Sequence, residues 1–120
     1  MESKTIKVPF VEGELLVLNV NGKLYAGIKK VAESLGLDWQ EACECIKKDA
    51  VLSEGLIMMK FETENGNDYE ALCLPMEYLI GWIMKLAPND KDGKIRDKII
   101  RCQRKNYMLL GLFIKSVLAE

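Results

Sequence analysis

Histidine is missing from this chain of 120 residues. Its absence excludes catalysis by an imidazole base and metal sites built on imidazole ligands. The chain also lacks the run of about 18 apolar residues that a membrane-spanning helix needs. The first ten residues, MESKTIKVPF, do not contain the apolar stretch of a signal peptide. We therefore expect a cytoplasmic protein whose thiols stay reduced.

Catalytic and metal-binding patterns are absent as well. The four cysteines do not have the paired spacing of a zinc knuckle, and we expect them to be free thiols that behave as small apolar side chains. The glycines form no phosphate-binding loop, and neither Ser53 nor Ser116 has an identifiable base nearby. The sequence predicts no metal, no cofactor and no enzymatic activity.

What is present is an ordinary globular composition, with 49% hydrophobic and 29% charged residues. A chain of this length is expected to form one domain, residues 1–120, with a core that needs no disulfide or metal. The order of its elements predicts an α+β fold. We expect two β-hairpins to form a small antiparallel sheet packed with about four helices, the last of them long.

The two hairpins are predicted from apolar runs that flank turn residues. The runs cover residues 15–18 with 24–26, and 56–61 with 69–74. Asn21-Gly22 separates the first pair, and both residues tolerate the positive φ of a tight hairpin turn. A strand around Ile6–Phe10 can join the first hairpin.

Helices are predicted at residues 28–35 and 38–48, from Pro75, and at 94–118. Gly36 suits the left-handed position that ends the first helix, and Asp38 can cap the second. Trp39 and Trp82 are interpreted as core anchors because each can bury a large ring.

The first two helices have the spacing of a compact helix-turn-helix, with Ala32 and Gly36 four residues apart and Ala42 and Cys45 placed inward. In that interpretation the second helix would read DNA through exposed side chains, of which the candidates are Gln40, Lys47 and Lys48. Two carboxylates on the same face, those of Glu41 and Glu44, would oppose the approach of phosphates. The alternative is a pair of packed helices with a glycine turn.

The segment 91–105 is basic, with seven basic and two acidic side chains, whereas the whole chain has a net charge of −1. Its cations can contact phosphates or an acidic protein, or form a solvated helix face. The candidate binding residues here are Lys94, Lys98, Arg101, Arg104 and Lys105.

The end of the last helix is apolar on nearly all sides. Helical periodicity places Ile95, Ile99, Cys102, Tyr107, Leu110 and Phe113 on the core-facing side. Apolar residues also fall outside this side, which favours a homo-oligomer. The candidate interface residues are Met108, Leu109, Leu112 and Phe113.

Several short motifs occur together in a specific order. They are Val8-Pro9-Phe10, Asn21-Gly22-Lys23 with Tyr25, the LGLDWQ segment at 35–40, Leu72-Cys73-Leu74-Pro75, Gly81-Trp82, and residues 95–100 with Gln103. In order and spacing they resemble the N-terminal domain of phage antirepressor proteins over about residues 8–110. That domain is similar to the BRO-N domains of large DNA viruses.

The resemblance implies a phage or prophage regulator that binds a repressor protein and so relieves transcriptional repression, in the cytoplasm of a bacterial host. BRO-N domains are DNA-binding modules, so the alternative is a DNA-binding regulator that uses the 28–48 helix unit and the basic 94–105 stripe. Inhibition of a host defence protein is a third possibility. The segment Cys102-Gln103-Arg104-Lys105 is more basic here than is usual in the family, which leaves the choice of partner open.

Overall fold

A computed structural model describes residues 3–63 and 65–119. In chain order their elements are β1 (Ser3–Phe10), β2 (Gly13–Val20), β3 (Lys23–Gly27), α1 (Ile28–Leu35), α2 (Trp39–Lys48), β4 (Ile57–Phe61), β5 (Tyr69–Pro75), α3 (Met76–Lys85) and α4 (Gly93–Leu118). Short 3-10 turns at Leu52–Gly55 and Pro88–Asp90 lead into β4 and α4. The predicted α+β class, the antiparallel sheet and the long last helix are confirmed.

The five strands form one antiparallel sheet in the order β1-β2-β3-β5-β4. The predicted first hairpin is part of a three-stranded meander that includes β1. At its β2–β3 turn, Asn21 and Gly22 have φ values of 53° and 88°, as the sequence predicted. Pro75 ends β5 and caps α3, which begins one residue later, at Met76.

Each face of the sheet has its own apolar cluster. The larger cluster lies under the helices and includes Leu15 and Val17 of β2. The smaller one lies on the other face and is centred on Leu18, Phe61 and Cys73. Although β1 and β4 are at opposite edges, Thr5 Oγ1 donates to the carbonyl oxygen of Glu62 at 3.5 Å. The sheet is therefore curved, so that its two edges approach each other. This curvature explains how Leu18, Phe61 and Cys73 are buried without a covering helix.

The turn between α1 and α2 forms as the sequence predicted. Gly36 has a φ of 83° and ends α1, and the Asp38 carboxylate accepts hydrogen bonds from the backbone N–H groups of Gln40 and Glu41. The position of Trp39 was predicted wrongly. It is the first residue of α2 and is 36% exposed, with the Lys29 ammonium 5.2 Å from the centre of its ring.

Of two further positions with a predicted core location, one is confirmed and one is wrong. Trp82 is 4% exposed in α3, so its interpretation as a core anchor is confirmed. Cys45 is exposed, which contradicts its predicted inward position. The buried face of α2 instead follows Ala42, Cys43 and Ile46, at the three- and four-residue spacing that keeps side chains on one side of a helix.

The long helix α4 extends beyond the surface on which it packs. Its 26 residues span about 39 Å, whereas the ten residues of α3 span about 15 Å. Ile95 and Cys102 are half-buried and Ile99 is buried, as predicted. The exposed residues Tyr107, Leu110 and Phe113 were wrongly assigned to the core side, because the protein body ends before the helix reaches them. No helix of the described segments is long and apolar enough to cross a membrane.

The environment of Asp49, which follows α2, makes the folding stability sensitive to acid. The hydrogen bond from Lys85 is the main reason why the pKa of its carboxyl falls from 3.8 to about 2, and the backbone N–H groups of Leu52 and Val51 add to the effect. A folded-state pKa below the unfolded one contributes stability above pH 3.8, and this contribution is lost as the pH falls towards 2. In acid titrations followed by circular dichroism, Asp49→Asn is expected to flatten the loss of stability in this window. Asp90→Asn, which removes the same charge from an exposed turn, should leave it unchanged.

Candidate functional site

An open cleft lies between the β1–β2 turn, α3 and α4. Its volume is about 210 Å³. The apolar part of its lining comes from β1, from β2 and the turn between them, from α1 and from α3, and the remaining wall comes from α4. The apolar lining residues of the strands and of α3 are Pro9, Phe10, Val11, Leu15, Met76, Leu79, Ile80 and Ile83.

The α4 wall of this cleft is cationic. Lys98, Arg101 and Lys105 all line it, and they are spaced three and four residues apart, which places them on one side of the helix. Arg101 Nη2 lies 3.3 Å from Glu12 Oε1, so this ion pair connects α4 to the β1–β2 turn across the cleft. Among the described residues, Lys98 and Lys105 form no ion pair. Two positive charges of this wall are thus available to a ligand.

Gln103 holds the two helical walls together. Its Nε2 donates to the carbonyl oxygens of Ile83 at 2.9 Å and Leu86 at 3.0 Å. These carbonyls belong to the last turn and the C-cap of α3. The carbonyl oxygen of Ile83 also accepts from the backbone N–H of Leu86 at 3.2 Å, whereas that of Leu86 lies beyond the last helical N–H. Gln103 is among the residues that carry the family resemblance, and its role here is to position α4 beside α3.

The part of the cleft formed by the β1–β2 turn contains a residue with a strained backbone. Val11 begins the two-residue turn between β1 and β2 and has a φ of 57°. A β-branched residue rarely adopts positive φ, and the left-handed conformation costs about 1–2 kcal/mol. The turn is compatible with glycine or asparagine, yet this chain places a half-buried apolar side chain there, against the larger core cluster and in the lining of the cleft.

The lining of the cleft includes one thiol, that of Cys102. Burial raises the pKa of this thiol despite the opposing effect of Lys105 and Arg101. A thiol with a raised pKa is a poor nucleophile at neutral pH. Within residues 3–63 and 65–119, no three metal-ligating side chains come together.

The predicted binding residues do not form one surface. Arg101 and Arg104 share a second, shallow depression with Arg96 on another side of α4. Lys94 is exposed in the first turn of that helix.

The α2 candidates are separated along their own helix. Gln40 lies in the first turn of α2, after the Gly36 turn that contacts Ile95 of α4. Lys47 and Lys48 lie in the last turn, next to Asp49, which pairs with Lys85. They are exposed, as predicted, but belong to the opposite end of α2.

Sequence reasoning did not find the apolar half of the cleft. Phe10 and Val11 are distant in sequence from Met76 and Ile80, and nothing in either segment indicates that the two meet. The available signal was the Val8-Pro9-Phe10 motif, which was noted only for its resemblance to the family. Of the predicted oligomer residues, Leu109 also lines the cleft.

The chain was compared with known protein families, curated proteins and solved structures. The family model described as the P22_AR N-terminal domain matches residues 6–117. No curated protein and no solved structure matches the chain. The family match covers almost the whole chain and includes every element that lines the cleft. The chain thus belongs to the family of the P22_AR N-terminal domain, the N-terminal domain of phage antirepressors, and this family indicates a phage regulatory role.

Proposed function

We propose that this chain is an antirepressor that binds a phage repressor protein and thereby relieves transcriptional repression. The observation that carries the proposal, together with the family, is the cleft with an apolar floor and a cationic wall. A repressor acts on DNA in the bacterial cytoplasm, and the proposed function places this chain there.

The size of the cleft supports a protein ligand. Its volume of about 210 Å³ is below the roughly 300–1,000 Å³ that is usual for small-molecule sites. A space of this size suits one or two apolar side chains that project from a partner surface. Such anchors, buried at the centre of an interface, supply most of the binding energy of protein complexes.

Charge determines which partner surface fits. Lys98 and Lys105 have no acidic neighbour in the described ion pairs, and Arg101 has only the exposed carboxylate of Glu12. An exposed pair of this kind contributes little to stability, so a partner carboxylate can replace Glu12 at low cost. The proposed partner surface therefore presents an apolar anchor flanked by carboxylates, which complement the cations and speed association.

DNA binding is the second candidate function. It is favoured by the N-terminal half of α4, where Lys94, Arg96 and Arg104 are exposed and no acidic residue lies in the first turn. The positive end of the helix dipole adds to this potential. The α2 surface opposes it, because the carboxylate of Glu41 lies beside Gln40 on the exposed face of the helix that would enter the groove.

The experiment uses the repressor encoded in the same phage or prophage genome, bound to a fluorescently labelled operator duplex. Addition of this chain is expected to release the duplex and lower its fluorescence anisotropy. The double charge reversal Lys98→Glu/Lys105→Glu should weaken the effect at least tenfold, through lost complementarity. Lys4→Glu/Lys7→Glu changes the charge equally on exposed positions of β1 and is the matched control.

Replacement of an apolar residue in the lining of the cleft distinguishes the two candidate functions. Ile80 lines the cleft and is 37% exposed, so Ile80→Ser should fold normally. If the chain binds a repressor, the variant should lose about tenfold in affinity for the repressor, because the anchor contact is missing. If the chain binds DNA, it should raise the anisotropy of a random duplex, and this binding should weaken steeply with salt. Ile80→Ser should not change the affinity for DNA. Failure to release the repressor from its operator would contradict the proposed function.

A further inference from the structure

We propose that residues 107–118 of α4 pair with the same segment of a second copy of this chain. The proposal uses residues other than those proposed to bind the repressor, except Leu109, which also lines the cleft. It rests on an apolar stripe of α4 that packs on the protein body in the first half of the helix and continues, without cover, in the second half.

The covered and uncovered parts of this stripe follow one helical spacing. Ile95, Ile99 and Cys102 face the body, with steps of four and three residues. The same spacing continues through Asn106 to an uncovered set, which consists of Leu109, Leu110, Phe113, Ile114 and Val117. These five side chains are 50–65% exposed. Apolar helix sides are normally buried, so the uncovered half of this side is expected to pack against another apolar surface.

The exposed apolar area is sufficient for a small interface. Nine large apolar side chains between residues 107 and 118 are 50–80% exposed, and five of them form the stripe. At roughly 100 Å² each, these five present roughly 500 Å², close to the roughly 600 Å² that each partner buries in the smallest stable interfaces. Monomeric soluble proteins rarely expose a contiguous apolar patch of this size.

Charge favours a second copy as the occupant. Lys115 is the one charged residue in segment 107–118, so two copies of the segment meet without appreciable repulsion. The basic half of α4 lies outside the paired segment. In an antiparallel pair, the two basic halves are separated by the length of the paired helices, about 18 Å. This exceeds the screening length of about 8 Å in physiological salt. Antiparallel pairing about a two-fold axis therefore buries the stripe and keeps the cations apart.

Size-exclusion chromatography with light scattering tests the proposal on the full chain. The wild type is expected to show twice the chain mass of 13.6 kDa. Phe113→Asp and Val117→Asp should each raise the dissociation constant about 100-fold or more, because they bury an unpaired charge in the interface. Lys115→Asp changes the charge on the same helix outside the stripe and is expected to remain dimeric.

Circular dichroism distinguishes dissociation from unfolding, and the Phe113→Asp chain should keep the wild-type spectrum, since this side chain is 65% exposed in the monomer. A wild type that stays at 13.6 kDa at its highest soluble concentration would overturn the proposal. The stripe would then be covered by a different protein or a lipid surface. A dimer that tolerates both aspartates would also overturn it, because the contact would lie elsewhere.

Discussion

Replacement of Trp82 by alanine is expected to destabilise the fold by about 3–5 kcal/mol, the usual cost of truncating a buried aromatic side chain. Trp82 lies in α3 with 4% of its surface exposed, and it packs in the core cluster that joins the sheet to the helices. Folded proteins of this size are stable by only about 5–15 kcal/mol, so the variant should be partly unfolded at moderate temperature. Urea unfolding measures the effect as a fall of the transition midpoint.

Trp39→Ala is the control for this prediction, because it deletes the same ring from the surface. Trp39 is 36% exposed and contacts the Lys29 ammonium, an interaction that contributes about 0.5–1 kcal/mol at exposed sites. We expect a loss of at most about 2 kcal/mol. Equal losses for the two variants would contradict the burial that distinguishes them in the structure.

Replacement of Gly36 by alanine is expected to cost about 2–4 kcal/mol, the sum of a backbone effect and a contact effect. Gly36 has a φ of 83°, which disfavours any side chain with a Cβ atom. An added Cβ would also lie 3.0 Å from Cγ1 of Ile95, where α4 crosses the α1–α2 turn. Either the turn or α4 must move. Because Ile95 follows directly after Lys94, a movement of α4 would also move the basic segment.

Two further variants separate the two effects. Gly22→Ala has a similar φ of 88° with no atom within 4 Å of the added Cβ, so it measures the backbone cost alone, about 1–2 kcal/mol. Ile95→Ala removes the crowded atom. The double variant Gly36→Ala/Ile95→Ala should therefore lose less stability than the two single changes together, by about 1 kcal/mol or more. Strict additivity in urea unfolding would show that the contact with α4 has no energetic effect.

Where the prediction of local structure succeeded, short-range chemistry was sufficient. Asn21-Gly22 and Gly36 adopt positive φ because few other residues can, and Asp38 caps α2 because its carboxylate reaches two nearby N–H groups. The end of α4 was misjudged because helical periodicity indicates which side is apolar but does not indicate what lies opposite. Cys45 was misplaced for a related reason, since inward positions in a helix pair depend on the crossing of the helices.

The candidate site shows the same division. The sequence by itself determined the element order, the turn chemistry, the cationic side of α4 at Lys98, Arg101 and Lys105, and the apolar character of residues 107–118. Only the tertiary structure decided that this cationic side faces Phe10, Val11 and Ile80 across a cleft, and that Gln40, Lys47 and Lys48 lie apart from it. The physical reason is that a local pattern specifies how a segment folds. The surface opposite that segment depends on contacts between residues far apart in the chain, set here by the antiparallel register of the sheet and by the packing of α3 against α4.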